Sequence, residues 1–162
     1  MDNALEQVPS ALSRPRPILP PTPVFIIGFA LALGLHAQWS LPLPIGSGRI
    51  ILGWWLVAAG AGLFIWSVLL FTRVGTGLLF HQPTRQLVTV GPYAWSRNPQ
   101  YVAFAVMYLG LSVVMGSIWP VVLLPALMAI VTVAVIQPEE RYLRRELGSE
   151  FADYCSRVRR WV

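Results

Sequence analysis

Residues 50–72 read IILGWWLVAAGAGLFIWSVLLFT, twenty-three positions without a charge. Wound as a helix they rise about 34 Å. That is enough to cross a bilayer hydrocarbon core of about 30 Å. In lipid, every backbone N–H and C=O must be satisfied inside the segment, so a span of this kind is a helix.

Three further apolar runs flank it. Residues 24–41 come first, about 27 Å as a helix, and Pro42 and Pro44 end the run. Residues 99–115 follow the central span, with a tight turn expected at Gly116 and Ser117. Residues 118–136 complete the set, with Pro120 suited to a first turn and Pro125 to a kink. The last two runs predict a helical hairpin. Ala30 with Gly34, and Ala58 with Gly62, are the small residues expected to let helices approach closely.

Composition agrees. The chain has 162 residues, 56% hydrophobic and 12% charged, against about 25% charged in an ordinary soluble domain. Mean hydropathy is +0.61. A disordered chain, a disulfide scaffold and an ordinary soluble enzyme are excluded. The lone Cys155 and the separated His36 and His81 offer no ligand spacing, so no metal is expected. The fold class expected is all-α integral membrane, with about four transmembrane helices and an amphipathic C-terminal helical tail.

Charge placement orients the chain. All basic residues are arginines. Arg14, Arg16, Arg73, Arg85, Arg97, Arg141, Arg144, Arg145, Arg157, Arg159 and Arg160 fall on one side of a four-span topology; Arg49 alone falls on the other. The positive-inside rule puts the eleven, with both termini, in the cytoplasm of a bacterial-type inner membrane. Trp39, Trp54, Trp55 and Trp119 would form an aromatic belt at the opposite interface. The basic balance reads as a membrane surface rather than a nucleic-acid partner.

Residues 1–23 carry Pro15, Pro17, Pro20, Pro21 and Pro23 and read as an extended, non-helical cytosolic arm. Residues 24–162 read as a single domain. Its cytoplasmic parts are 73–98, expected to be ordered against the membrane through Leu78-Leu79-Phe80 and Leu87-Val88, and 137–162. In the tail, Leu143, Leu147, Phe151, Tyr154, Cys155 and Val158 recur at three- and four-residue spacing. Gly148 is a candidate break between two helices.

No Asp, Glu, Lys or Arg falls inside the spans, which counts against a transporter with an intramembrane ionisable group. Chemistry belongs to the cytoplasmic face. There Gly91-Pro92 signals a turn, and Pro99 suits the first turn of a helix with Asn98 as its cap. Free N–H groups at that helix start, with Arg97 beside them, suit a carboxylate. Glu139 and Glu140 could hold ribose hydroxyls or a cationic ammonium; complementing the dipole of the helix after Pro138 is the simpler reading.

These segments resemble the isoprenylcysteine carboxyl methyltransferase and phospholipid methyltransferase family. The resemblance rests on Gly91-Pro92-Tyr93, Arg97-Asn98-Pro99-Gln100-Tyr101, Glu139-Glu140-Arg141-Tyr142-Leu143, and Gly148, Phe151, Tyr154 and Val158. It covers about residue 76 to the end. It implies a membrane methyltransferase using S-adenosylmethionine on a lipophilic or membrane-associated nucleophile: a prenylcysteine-like carboxylate or thiol, or a phospholipid amine. By position it implies Arg97, Asn98, Pro99, Tyr101, Glu139, Glu140, Tyr154 and Arg160 as cofactor residues. Glu139 or Glu140 could take the proton of an amine acceptor, and Arg97 or Arg141 could orient an anionic substrate group; Glu140 and Arg97 are the candidates singled out as catalytic. Three positions depart from the pattern. Asn98 replaces a histidine and cannot take a proton at neutral pH. Phe151 replaces a tyrosine. The ending reads Val158-Arg159-Arg160-Trp161-Val162 without the usual prolines. A catalytically degenerate member serving as a scaffold or partner subunit is the alternative reading, ahead of a small transporter. Oligomeric state is left open.

Overall fold

The computed structural model describes residues 21–73 and 87–162. The helices are α1 (Pro21–Gln38), α2 (Arg49–Arg73), α3 (Pro99–Met115), α4 (Trp119–Val131) and α5 (Gln137–Arg157). A 3-10 turn, Gly91–Ala94, precedes α3, and a π-helical segment, Thr132–Ile136, joins α4 to α5. The fold is an all-α integral membrane one. Pro21–Gln38, Arg49–Leu70 and Trp119–Arg157 are long and apolar enough to cross a membrane, and Pro99–Met115 is a shorter apolar helix. Residues 74–86, including Leu78-Leu79-Phe80, lie outside the described residues.

α2 and α3 cover the second and third apolar runs, and α3 is shorter than the three helices long enough to cross a membrane. Three boundaries differ. The first helix ends at Gln38, short of residue 41. It begins at Pro21, so the end of the proline-rich arm is helical. Prolines are tolerated in a first turn because its N–H groups have no intrahelical acceptor. The tail is not a separate surface helix but continues directly from the fourth span. Pro138 has no N–H for the carbonyl one turn back. The backbone adapts upstream, where the Gln137 N–H reaches the Thr132 carbonyl, five residues away. Such π-bulges relieve a local mismatch without ending a helix. The break expected at Gly148 is present, with φ 52° and ψ −119°.

Packing follows small residues, but not the ones expected. Ala30, Gly34, Ala58 and Gly62 are exposed, and a Cβ on either glycine would meet nothing. The close seam joins α2 to α3. A Cβ on Gly60 would come 2.9 Å from the Ala103 carbonyl oxygen, and one on Gly53 would come 2.7 Å from that of Gly110. Gly53 and Gly60 on α2 are seven residues apart, as are Ala103 and Gly110 opposite them on α3. A seven-residue period keeps one stripe facing its partner along a whole helix. On α1, Gly28 lies under Leu127 of α4. The core joins Val24 and Phe25 of α1, Tyr101 and Tyr108 of α3, and Leu127, Val131, Val135 and Ile136 of the fourth span. The α3–α4 turn is closed by Gly116 at φ 65°. The chain after α1 clips it through Leu43 N–H to the Gly116 carbonyl (2.8 Å) and Ile118 N–H to that of Leu41 (3.1 Å).

Candidate functional site

The opposite end of the bundle gathers the polar residues. Gly91 has φ 61°, a left-handed conformation that favours glycine. A Cβ there would also strike Leu70 of α2. The 3-10 turn is thereby seated on α2, and Pro92 and Tyr93 are buried. The chain then enters α3 through Asn98 and Pro99 as expected. The Asn98 side chain does not cap the helix, however. Its Nδ2 donates to the Arg160 carbonyl (2.9 Å), and its backbone N–H donates to Ser96 Oγ (3.1 Å).

The C-terminal segment lies along this entry. Arg97 N–H donates to the Arg159 carbonyl at 3.0 Å. The Tyr154 hydroxyl donates to the Tyr93 carbonyl at 2.7 Å. Beneath, the apolar face of α5 is realised: Phe151, Tyr154 and Val158 are buried with Leu87, Leu143, Leu147 and Cys155 around them. Phe151, in place of a tyrosine, is 2% exposed, and the Arg144 guanidinium stands 5.9 Å from its ring centroid.

Glu140 is the hub. Its Oε1 lies 3.0 Å from Arg97 Nη1, and both carboxylate oxygens accept from Arg160, at 3.1 Å from Nε and 2.7 Å from Nη2. A forked pair of this kind fixes orientation as well as charge. That bonding raises the Arg160 pKa. Arg97 Nη1 also donates to Cys155 Sγ at 2.8 Å. Its Nε is buried without a partner among the described residues. Unsatisfied buried donors are rare and costly.

Glu139, one residue away, has the opposite situation. Among the described residues it makes no hydrogen bond or ion pair, and it keeps an exposed surface. Crowding by protein, together with the adjacent Glu140 charge, pushes its pKa up to about 7. It lies within Coulombic range of Tyr93 and Tyr101. Burial pushes the Tyr93 hydroxyl up, opposed by the bond from Gln100 Nε2 at 3.2 Å. Burial likewise pushes Tyr154 up to about 12, with the Arg97 charge opposing.

Two motifs about forty residues apart in sequence therefore meet at one end. The sequence pattern of phospholipid methyltransferases matches residues 48–150. The chain belongs to that family. The match takes in the seam helices, the Gly-Pro-Tyr turn and both glutamates; Tyr154 and Arg160 lie beyond it. Over 135 residues, 83% of the chain, it is 30% identical to the nickel-cobalt-cadmium resistance protein NccN of Alcaligenes xylosoxydans xylosoxydans. The chain spans 58% of that relative's length. No solved structure matches it. Among the described residues, no three His, Cys, Asp or Glu side chains gather as a metal site.

All eight residues expected to serve the cofactor sit at this end. Arg97, Asn98, Glu140 and Arg160 belong to one bonded network, Tyr154 bonds to the Tyr93 carbonyl beside it, Pro99 and Tyr101 open the helix, and Glu139 stands next to Glu140. Cys155, Gln100 and Ser96 were not anticipated. Gln100 and Ser96 lie inside or next to the quoted motif, and Cys155 occupies the expected apolar stripe, so position was legible and bonding was not.

Proposed function

We propose that the chain is an integral membrane methyltransferase that uses S-adenosylmethionine and methylates a lipophilic nucleophile at its arginine-rich, cytoplasmic end. Family membership supports membrane methyl transfer in general. The observation that carries the cofactor reading is the buried, unpartnered Nε of Arg97. A donor held in place by Glu140 and left free on one edge suits the carboxylate of an amino-acid moiety. The unpaired Glu139 and the tyrosines near it suit a cationic centre. The donor set thus fits the cofactor.

When bound, S-adenosylmethionine supplies an electrophilic methyl group on a sulfonium. The protein supplies position and a dry, preorganised field. Arg97 holds the carboxylate end, oriented by Glu140. Asn98, Tyr154 and Arg160 fix the wall by binding backbone or carboxylate. Pro99 and Tyr101 set the floor at the start of α3. Of the two glutamates that could take a proton, this reading favours Glu139 over Glu140. Glu140 is committed to two guanidinium groups, whereas Glu139 is unpaired with a pKa near neutrality. That suits a group which accepts the proton of an amine or thiol acceptor. A carboxylate acceptor needs no such base.

The test is calorimetry of the folded full-length protein in detergent with S-adenosylhomocysteine. Saturable binding is expected, and its absence would overturn the reading. S-adenosylhomocysteine lacks the sulfonium charge that Glu139 would face, so Glu139→Gln is expected to spare this binding while slowing transfer from labelled cofactor to aminophospholipids or thiols. Arg97→Ala should weaken binding itself. Equal affinity in Arg97→Ala would remove the carboxylate assignment.

A further inference from the structure

The helix that leaves the fourth span carries a second polar feature at the same end, on another side of α5 from the glutamates. Pro138, Arg141, Tyr142 and Arg145 line an open groove of about 170 Å³. Arg141 and Arg145 are one turn apart, so their side chains share a face. Both are exposed. Arg141 donates its Nε to the Gln137 carbonyl (3.3 Å), and neither arginine has a carboxylate partner among the described residues. Their neighbours differ: Arg97 and Arg160 are paired to Glu140, and Arg144 lies over Phe151.

Depth in the membrane follows from the helix being continuous. Counting from Ile136, the end of the apolar span, Arg141 and Arg145 are roughly 8 and 14 Å further along the axis. Helical side chains lean toward the helix N-terminus, which here is the bilayer. Long arginine side chains leaning that way reach the headgroup layer, which extends about 5–8 Å beyond the hydrocarbon. At 100° per residue the two arginines lie roughly 200–240° around the helix from Glu139, with Pro138 and Tyr142 at about 260° and 300°. The guanidinium groups therefore sit on the side of the helix away from the unpaired carboxylate of the proposed reaction.

We propose that this groove binds the phosphodiester of an anionic phospholipid. Two unneutralised guanidinium forks at phosphate depth are its ligands, and the Tyr142 side chain beside them lines the headgroup. A lipid phosphate and a free phosphate ester share this chemistry; the location at the bilayer surface favours the lipid.

The experiment is native mass spectrometry of the full-length protein in neutral detergent. It is titrated separately with phosphatidylglycerol, phosphatidylcholine and glycerol 3-phosphate. Phosphatidylglycerol is expected to bind at least fivefold tighter than phosphatidylcholine. The double variant Arg141→Gln/Arg145→Gln should lose about tenfold, in line with the pull of two basic side chains on an anionic headgroup. The double variant Arg157→Gln/Arg159→Gln removes the same charge elsewhere and should stay within twofold of the parent. Absence of a headgroup preference, or an equal loss in both double variants, would overturn the proposal. Glycerol 3-phosphate binding as tightly as phosphatidylglycerol would overturn the lipid assignment in favour of a soluble phosphate ester.

Discussion

The Glu140 hub permits a quantitative test by a double-mutant cycle with Arg160. Glu140 is 13% exposed and the Arg160 side chain 36%, and they share two bonds of 3.1 and 2.7 Å. Exposed ion pairs couple by roughly 0.2–1 kcal/mol. Removing one member of a buried pair costs about 3–5 kcal/mol. This pair stands between those limits, so a coupling of about 1.5–2 kcal/mol is expected between Glu140→Gln and Arg160→Gln. Glu140→Gln alone should cost more, about 2–3 kcal/mol, because Arg97 also loses its carboxylate and is left buried. Arg160→Gln alone should cost about 1–2 kcal/mol, since Glu140 retains Arg97. The assay is reversible unfolding in mixed detergent micelles, with carboxypeptidase sensitivity of the C-terminal residues as a second readout. Both single variants should expose those residues, because residues 159 and 160 are tied to Arg97 and Asn98 by backbone carbonyls. A coupling below about 0.5 kcal/mol would refute the reasoning, showing the fork to be a solvated surface pair.

Two other outcomes follow from the geometry. Gly60→Val should destabilise by about 1–3 kcal/mol in the same unfolding assay, because even a Cβ meets the Ala103 carbonyl at 2.9 Å and overpacking costs that much; Gly62→Val, facing open space, should be near neutral, and equal losses would remove the seam. For Glu139 the pKa is raised from 4.5 to about 7, so its ionisation penalises folding from the unfolded value upward and in full above pH 7. Glu139→Gln should therefore stabilise at pH 8 and have no effect below pH 4.5, with the gain held under about 1 kcal/mol by its solvent exposure; a gain confined to acid would reverse the sign and sink the assignment.

The spans were legible because length without charge is a signal that packing does not modify. The seam was not, because glycine and alanine are abundant in residues 58–62 and only the phase relative to α3 selects among them. That phase was written in the sequence as matching seven-residue steps, Gly53 to Gly60 and Ala103 to Gly110. It becomes visible only when the two helices are compared. Pro138 misled for a related reason. A proline is a stop signal locally, yet a single five-residue hydrogen bond upstream carries the helix past it.

The two glutamates show where a sequence motif ends and a site begins. Adjacent residues on a helix point about 100° apart, so a pair of carboxylates cannot both face the same arginines. Glu140 is held by Arg97 and Arg160, and Glu139 is left unpaired beside Tyr93 and Tyr101. Their difference in chemistry comes from the partner segments, which arrive from residues 97 and 160. Neither segment is held in place by itself. Arg97 has Glu140 as the partner for its largely buried charge. Arg160 is placed by the docking of residues 158–160 on Asn98, and that docking in turn needs the Tyr154–Tyr93 bond. The free Nε of Arg97 is therefore a property of the closed network. Losing the Glu140 carboxylate removes the ionic partner of both guanidinium groups at once, so in Glu140→Gln the capacity to hold an anion should fail together with the C-terminal docking.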